Sequence, residues 1–276
     1  MKATTAANLV LAFLDRLGGR TKRVFGHIGG LWYLLVDVCT WIVRAFTQNR
    51  GRIGRVAITA QLVRIGFSSI FIVSLVSGSV GAILALQMAP PLDELGQVSL
   101  VPNIISVAVL RELGPLISAI VLTGFAGAAI AAEIGTMVVG EEVEALEAHA
   151  LNPVRFLVVP RVIATVVSML CLGVLADVAA ITAGGFVGEA VLGINWSAYY
   201  HNVVMQVDPQ DFLTGLAKAG VFGLLIGLIA CRNGLSVTGG AAGVGRATTS
   251  TVVESVVAII FADLLFTVIF YAVGLG

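Results

Sequence analysis

Charge is what this sequence has least of. Only 12% of its 276 residues are Asp, Glu, Lys or Arg, about half the share of roughly 25% found in soluble domains. Hydrophobic residues make up 58%, and the mean hydropathy is +1.01. The net charge is zero, so nothing indicates a nucleic-acid partner, and the three cysteines are too far apart for a metal or redox motif. The chain has no room for a separate soluble enzyme and is expected to form one compact membrane domain.

Basic residues are missing from two long stretches. There is none between Arg64 and Arg111, and none between Arg161 and Lys218. A membrane-spanning helix needs about 20 mostly apolar residues, and five segments meet this condition: 65–92, 104–135, 154–188, 212–231 and 248–273. The sequence therefore predicts an all-α membrane protein with five transmembrane helices.

The distribution of the remaining basic residues predicts the orientation. Fourteen of the sixteen precede the first span or lie near the loops after the second and fourth spans. The loops 93–103 and 189–211 contain acidic residues and no basic ones. Cytoplasmic loops keep Lys and Arg, so the N-terminus is predicted to be cytoplasmic and the C-terminus periplasmic.

Residues 1–52 are predicted to form cytoplasmic or interfacial amphipathic helices ahead of a five-span domain, 53–276. One apolar stripe contains Leu9, Phe13 and Leu17, and a second runs through Ile28, Trp32, Leu35, Cys39, Ile42 and Phe46. Amphipathic helices with aromatic and basic residues lie in the membrane interface. The alternative is a sixth span from 28 to 46, which would be short and would carry Asp37.

Arg111 and Lys218 are the two cations outside the basic islands. A charge at the bilayer centre costs about 2.5–3.5 kcal/mol on insertion scales, so such residues face a cavity or one another. Two cations in the outward half of a bundle could hold an anionic headgroup by charge-assisted hydrogen bonds. Alternatively they snorkel, or they pair with Glu112 and Asp211. The sequence leaves both interpretations open.

The loop between the second and third spans has helical periodicity. Val143, Leu146 and Ala150 share one face, and four glutamates cover much of the rest. It is either a solvated loop helix or a short amphipathic helix that docks into a partner's groove. The glycine-rich residues 238–246 lack the Gly-Lys-Ser/Thr ending of a phosphate loop, so no nucleotide site is predicted in this chain.

Five sequence blocks carry a resemblance to the MlaE/YrbE permease family. They are residues 111–115 (RELGP), 127–137 (GAAIAAEIGTM), 144–147 (EALE), 152–161 (NPVRFLVVPR) and 243–249 (GVGRATT). The resemblance implies an interfacial N-terminal helix plus five spans. It also implies the membrane permease subunit of an ATP-driven phospholipid transporter of the bacterial inner membrane, which maintains the lipid distribution of the cell envelope through an outward-facing cavity.

The same resemblance implies the partners. These are a cytoplasmic ABC ATPase that holds the ATP and magnesium, an MCE-domain substrate-binding protein, a separate STAS-domain protein, and a second permease copy in a homodimer. This chain itself would have no cofactor, no metal and no catalytic residue.

Family positions map onto this sequence as two sets of site residues. The lipid-binding set is Gln87, Arg111, Glu112 and Lys218. The set that couples to the ATPase belongs to a helix at about 140–151 and its flank: Glu141, Val143, Glu144, Leu146, Glu147, Leu151 and Arg155. Two positions depart from the family pattern, Phe125 where arginine is common and Asn152 where aspartate is usual.

Two other classes of protein remain as alternatives. An ion-coupled secondary transporter would use the intramembrane carboxylates Asp177, Glu254 and Asp263 as a relay. An intramembrane enzyme would need a nucleophile and a base, and no such pair is evident.

Overall fold

A computed structural model describes residues 22, 25–44, 47 and 55–274, and this part of the chain is helical without a strand. We number eight helices in this part. They are α1 (Phe25–Arg44), α2 (Val56–Glu94), α3 (Val98–Val139), α4 (Glu142–Ala148), α5 (Val154–Leu192), α6 (Trp196–Gln206), α7 (Pro209–Leu235) and α8 (Gly240–Val273).

Helices α2, α3, α5, α7 and α8 confirm the five predicted spans and extend them. Helix α3 has 42 residues, or about 63 Å at 1.5 Å per residue, so it extends well beyond a hydrocarbon core of about 30 Å. The all-α fold with an N-terminal helix and five spans is confirmed. The predicted boundary at 52/53 and the stripe Leu9–Leu17 lie outside the described residues.

Helix α1 is long and apolar enough to cross a membrane by length and composition. Its contacts show how it packs on the bundle. Near its start, Gly30 lies against the guanidinium of Arg232, three residues from the end of α7. Near its end, the Trp41 ring lies 5.4 Å from Arg155 at the start of α5. Both halves of α1 thus contact the same end of the bundle, which is the arrangement expected of an interfacial helix.

Helix α5 is the centre of the bundle. It packs most extensively against α2 and α7, while α7 and α8 both pack against α3. Small residues permit these close approaches. Gly81 of α2 lies directly on the backbone of Ala180 in α5, which leaves no room for a Cβ atom. Gly215 of α7 lies in the same way on the Leu110 carbonyl of α3.

Four single π-helical turns interrupt the long helices, at Val63–Phe67, Val109–Leu113, Thr123–Gly127 and Val154–Val158. A π turn adds a residue to the helical turn and is frequent at functional sites. Three of the four contain an arginine, Arg64, Arg111 and Arg155. These turns therefore determine the direction in which the three arginine side chains leave their helices.

The short helix α6 closes the end of the bundle farthest from α4. Tyr199 is buried there and donates its hydroxyl to the Ile181 carbonyl of α5 at 3.1 Å. Burial raises the pKa of Tyr199 to about 12, so the phenol stays protonated and remains a donor. A second hydrogen bond joins α6 to the start of α3: the Asn202 side-chain amide donates to the Ser99 carbonyl oxygen at 3.1 Å.

Candidate functional site

Two clusters of acidic and basic side chains connect the long helices in the part of the chain that the structure describes. We call the first the Lys218 network; it joins α3, α7 and α8 and consists of Arg111, Glu112, Asp211, Lys218, Asp263 and Thr267. The second, the Glu133 network, joins α2, α3 and α5 through Arg64, Glu133 and Arg161.

Lys218 is the most deeply buried charged residue of the Lys218 network. Its side chain is 1% exposed, and it lies nine residues after Pro209, about 14 Å along α7. The Nζ atom lies 2.6 Å from Glu112 Oε2, 3.0 Å from Asp263 Oδ1 and 3.0 Å from Thr267 Oγ1. Thr267 in turn donates its hydroxyl to Glu112 Oε1 at 3.0 Å. Glu112 and Thr267 accept hydrogen bonds from the ammonium group, and Asp263 adds an ion contact, so Lys218 is an internal counter-ion.

Arg111 is paired on one side only. Its Nε donates to Asp211 Oδ1, and the other Asp211 oxygen accepts from the Asp208 amide at 3.0 Å in a capping box that begins α7. The two terminal nitrogens of Arg111 have no hydrogen bond to the part of the chain that the structure describes, and the side chain is 27% exposed. Half of the guanidinium is therefore free to bind an anion.

A cavity of about 210 Å³ lies at this network. It is lined by Arg111, Glu112, Thr214, Lys218, Thr267, Phe270 and Tyr271. Three of the four predicted lipid-binding residues thus come together. The fourth, Gln87, is exposed on α2 and does not line this cavity.

The pairing interpretation of the two cations fits the structure, with Arg111 on Asp211 and Lys218 on Glu112. Asp263 and Thr267 also belong to this group, and neither was predicted to lie beside the two cations. An aspartate within a span was the available signal for Asp263, because such a charge needs a partner. Thr267 had no such signal.

The predicted coupling segment is largely exposed. Helix α4 presents Glu142, Glu144 and Glu147 to the outside, and Leu151 beyond it is 38% exposed. Val143 and Leu146, expected to form a docking face, are half-buried. The short helix packs against α3, so its accessible surface is acidic rather than apolar. Glu141 occupies the turn before it, at φ 59°.

Arg155 and Asn152 organise the start of α5. The Arg155 guanidinium lies 5.4 Å from the Trp41 ring and 5.3 Å from the Phe156 ring, within the range of cation–π attraction. Asn152 Oδ1 accepts a hydrogen bond from the backbone N–H of Arg155 at 3.2 Å. An aspartate would accept the same bond, because Asn and Asp serve equally as helix caps. The departure at this position therefore preserves the cap.

The three carboxylates of the proposed ion relay have separate surroundings. Asp263 lies against Lys218, and Glu254 accepts from Asn233 at 2.8 Å and lies 3.2 Å from His27. Asp177 packs against Gly114. Within the described ranges, none of the three is hydrogen-bonded to another.

Long apolar helices whose charged residues pair with one another are typical of polytopic membrane proteins. The chain belongs to the MlaE permease family, because the family's sequence pattern, described as "Permease MlaE", matches residues 58–269. This confirms the resemblance carried by the five sequence blocks.

Curated relatives agree with this assignment. A protein of Rickettsia bellii named "Probable ABC transporter permease protein" is 36% identical over 265 residues, which cover 96% of this chain and all of the relative. A Synechocystis protein whose name also begins "Probable ABC transporter permease protein" is 35% identical over 214 residues, 78% of this chain and 81% of the relative. The chloroplastic Arabidopsis thaliana protein named TRIGALACTOSYLDIACYLGLYCEROL 1 is 34% identical over 211 residues, 76% of this chain and 60% of the relative.

Proposed function

We propose that this chain is the permease subunit of an ATP-driven transporter that moves phospholipid and maintains the lipid distribution of a bacterial cell envelope. The relatives' naming as ABC transporter permeases supports an ATPase partner. Lipid as the cargo is supported by the Arabidopsis relative, whose name is that of a glycolipid. The observation that carries the proposal is the half-free guanidinium of Arg111 at a cavity within the membrane bundle.

The chemistry of this cavity suits a phospholipid headgroup. Arginine binds phosphate oxygens through two parallel N–H groups, and the terminal nitrogens of Arg111 remain available. The Phe270 and Tyr271 side chains supply apolar surface beside it. In this proposal Arg111 binds the phosphate, while Lys218 is a positioning residue that fixes Glu112. Gln87 is a more distant contact of the lipid path.

Four partners belong to the proposal. A cytoplasmic ABC ATPase, with its ATP and magnesium, docks on the segment from Glu141 to Leu151 and its flanking Arg155. An MCE-domain protein delivers or receives lipid, and a STAS-domain protein is a separate chain. A second permease copy completes a homodimer; the exposed apolar face of α8, on which Val257, Phe261 and Leu264 lie, is available to lipid or to that copy.

The proposed location is the bacterial inner membrane, with the N-terminus cytoplasmic and the C-terminus periplasmic. A reporter that is active only outside the cytoplasm is expected to be active when fused after Gly276 and inactive when fused after Ala145. The reason is the restriction of basic residues to one set of loops. Activity at Ala145, or its absence at Gly276, would contradict this orientation.

Removing the Arg111 side chain tests the lipid site. In the Arg111→Ala variant, the amount of bound anionic phospholipid is expected to fall about tenfold or more. The reason is that a charge-assisted hydrogen bond contributes about 1.5–3 kcal/mol. Arg111→Lys should restore binding in part, because an ammonium cannot grip two oxygens. The measurement is bound lipid per purified complex, by mass spectrometry at matched yield.

The matched control is Arg246→Ala, which removes an exposed cation near the opposite end of the bundle. It should leave the lipid content unchanged. Equal lipid in Arg111→Ala and in the unaltered protein would return Arg111 to the purely structural role of holding Asp211.

A further inference from the structure

The Glu133 network carries one more positive charge than negative. Glu133 Oε2 lies 2.9 Å from Arg64 Nη1, and Glu133 Oε1 lies 2.9 Å from Arg161 Nη2. Two guanidinium groups therefore share one carboxylate. Within the described part of the chain, neither arginine has another carboxylate within 4.0 Å. The network is one anion short of neutrality.

The two arginines differ in accessibility. Arg161 is 6% exposed, donates through Nη1 to the Leu157 carbonyl at 2.8 Å, and is enclosed by the protein. Arg64 has a side chain that is 58% exposed, and its Nη1 contacts Glu133. Among the residues that the structure describes, Arg64 has no further ion pair, so the excess positive charge lies on an exposed side chain.

A cavity of about 310 Å³ lies beside Arg64, between α2 and α3. One part of its wall is polar, with Gln61, Arg64 and Ser68. The other part is apolar, with Phe125, Ala129 and Ile130. The Gln61 side-chain carbonyl oxygen is buried in this wall without a hydrogen-bond partner among the described residues.

Both walls of this cavity are built on π turns. Arg64 and Ile65 belong to the turn Val63–Phe67 of α2, and Phe125 and Ala126 to the turn Thr123–Gly127 of α3. Single π turns are frequent at functional sites. Phe125 on the second of these turns makes that part of the wall apolar.

We propose that this cavity binds the phosphate group of an anionic phospholipid, with Arg64 as its ligand and the Phe125–Ile130 wall against the glycerol and the first methylenes. The site lies in the half of the bundle that contains the basic islands, and it is separate from the Arg111 cavity. Its occupant neutralises the Glu133 network. A free phosphate ion has the same charge chemistry, but the apolar wall favours a lipid as the source. The proposal does not depend on ATP-driven transport.

Binding of matched lipids to the purified full-length chain tests this site. The probes are phosphatidylglycerol, phosphatidylcholine with the same acyl chains, and inorganic phosphate, with adducts counted by native mass spectrometry. The unaltered chain is expected to bind phosphatidylglycerol about tenfold or more tightly than phosphatidylcholine, since charged hydrogen bonds distinguish the two headgroups. Arg64→Gln should lose about tenfold in phosphatidylglycerol affinity.

Two further variants separate binding from folding. Ala129→Phe fills the cavity but leaves all three charged residues in place, and it should lose phosphatidylglycerol as Arg64→Gln does. Arg44→Gln removes another exposed arginine, at the end of α1, and should bind like the unaltered chain. Unchanged affinity in both Arg64→Gln and Ala129→Phe would overturn the proposal. Inorganic phosphate that displaces phosphatidylglycerol at equal concentration would overturn the assignment to a lipid.

Discussion

Replacing Lys218 with alanine is expected to destabilise the protein strongly, because Lys218 is the most buried charged residue of the Lys218 network. The ammonium is 1% exposed and lies between Glu112 and Asp263. Breaking a buried ion pair by removing one partner typically costs about 3–5 kcal/mol, because the remaining charge is left uncompensated. Glu112 is 36% exposed, and water therefore screens part of this loss, so we expect about 3 kcal/mol. The measurement is the midpoint of thermal unfolding in detergent.

A compensated variant distinguishes charge from packing. Lys218→Met combined with Glu112→Gln and Asp263→Asn removes all three charges and keeps similar side-chain volumes. It should recover much of the lost stability, since a neutral replacement of a buried ion cluster is often tolerated. Arg246→Ala, the loss of an exposed cation, should have little effect. A Lys218→Ala variant as stable as the unaltered protein would contradict the internal counter-ion role.

Reversing the charge of α4 is expected to detach the proposed ATPase. Glu144 and Glu147 are both exposed on this helix, so they form its accessible surface, and charges of the wrong sign across an interface cost several kcal/mol. The Glu144→Lys, Glu147→Lys double variant should reduce co-purified ATPase about tenfold or more. Its unfolding midpoint should stay unchanged, because neither side chain is packed.

The matched control reverses two acidic residues at the opposite end of the bundle. Asp93 and Glu94 are exposed at the end of α2, and Asp93→Lys with Glu94→Lys should leave ATPase binding intact. Replacing Val143 and Leu146 with Asp should also release the ATPase, but those side chains are half-buried. That pair is therefore expected to unfold α4 as well. Full ATPase retention in the Glu144, Glu147 variant would exclude the acidic face from the interface.

The spans could be predicted because hydrophobic length is a local property of the sequence. The gaps between Arg64 and Arg111 and between Arg161 and Lys218 delimit long apolar segments without any knowledge of packing. The helix ends could not be placed in this way. Helix α3 runs from Val98 to Val139, beyond the predicted span 104–135 at both ends, because a helix need not end where the hydrocarbon core ends.

The sequence could predict which residues belong to the Arg111 cavity, but not which side chains pair with one another. The sequence brings out Arg111, Glu112 and Lys218 as charges in apolar segments, and these do meet. Which carboxylate each cation contacts depends on how α3, α7 and α8 are rotated about their axes. The π turns at Val109–Leu113 and Thr123–Gly127 alter that rotation, and they have no composition signal.

The apolar face of α4 shows a different limit. Periodicity placed Val143, Leu146 and Ala150 on one side of a helix; Val143 and Leu146 are both half-buried in α4, whereas Ala150 lies beyond the end of α4 and is exposed. Periodicity could not say whether that side faces a partner or the chain's own α3, since both environments select the same residues. Gln87 was assigned by family position alone, and only the structure shows that it lies away from the Arg111 cavity.

Lipid transfer by the reconstituted complex tests the central proposal most directly. The permease with its co-purified partners is placed in vesicles that contain a labelled phospholipid, and transfer is followed with ATP, with a non-hydrolysable ATP analogue, or with a pH gradient alone. We expect transfer with ATP and none under the other two conditions. Transfer driven by the pH gradient without ATP would contradict the ATP-driven permease and would favour the ion-coupled transporter.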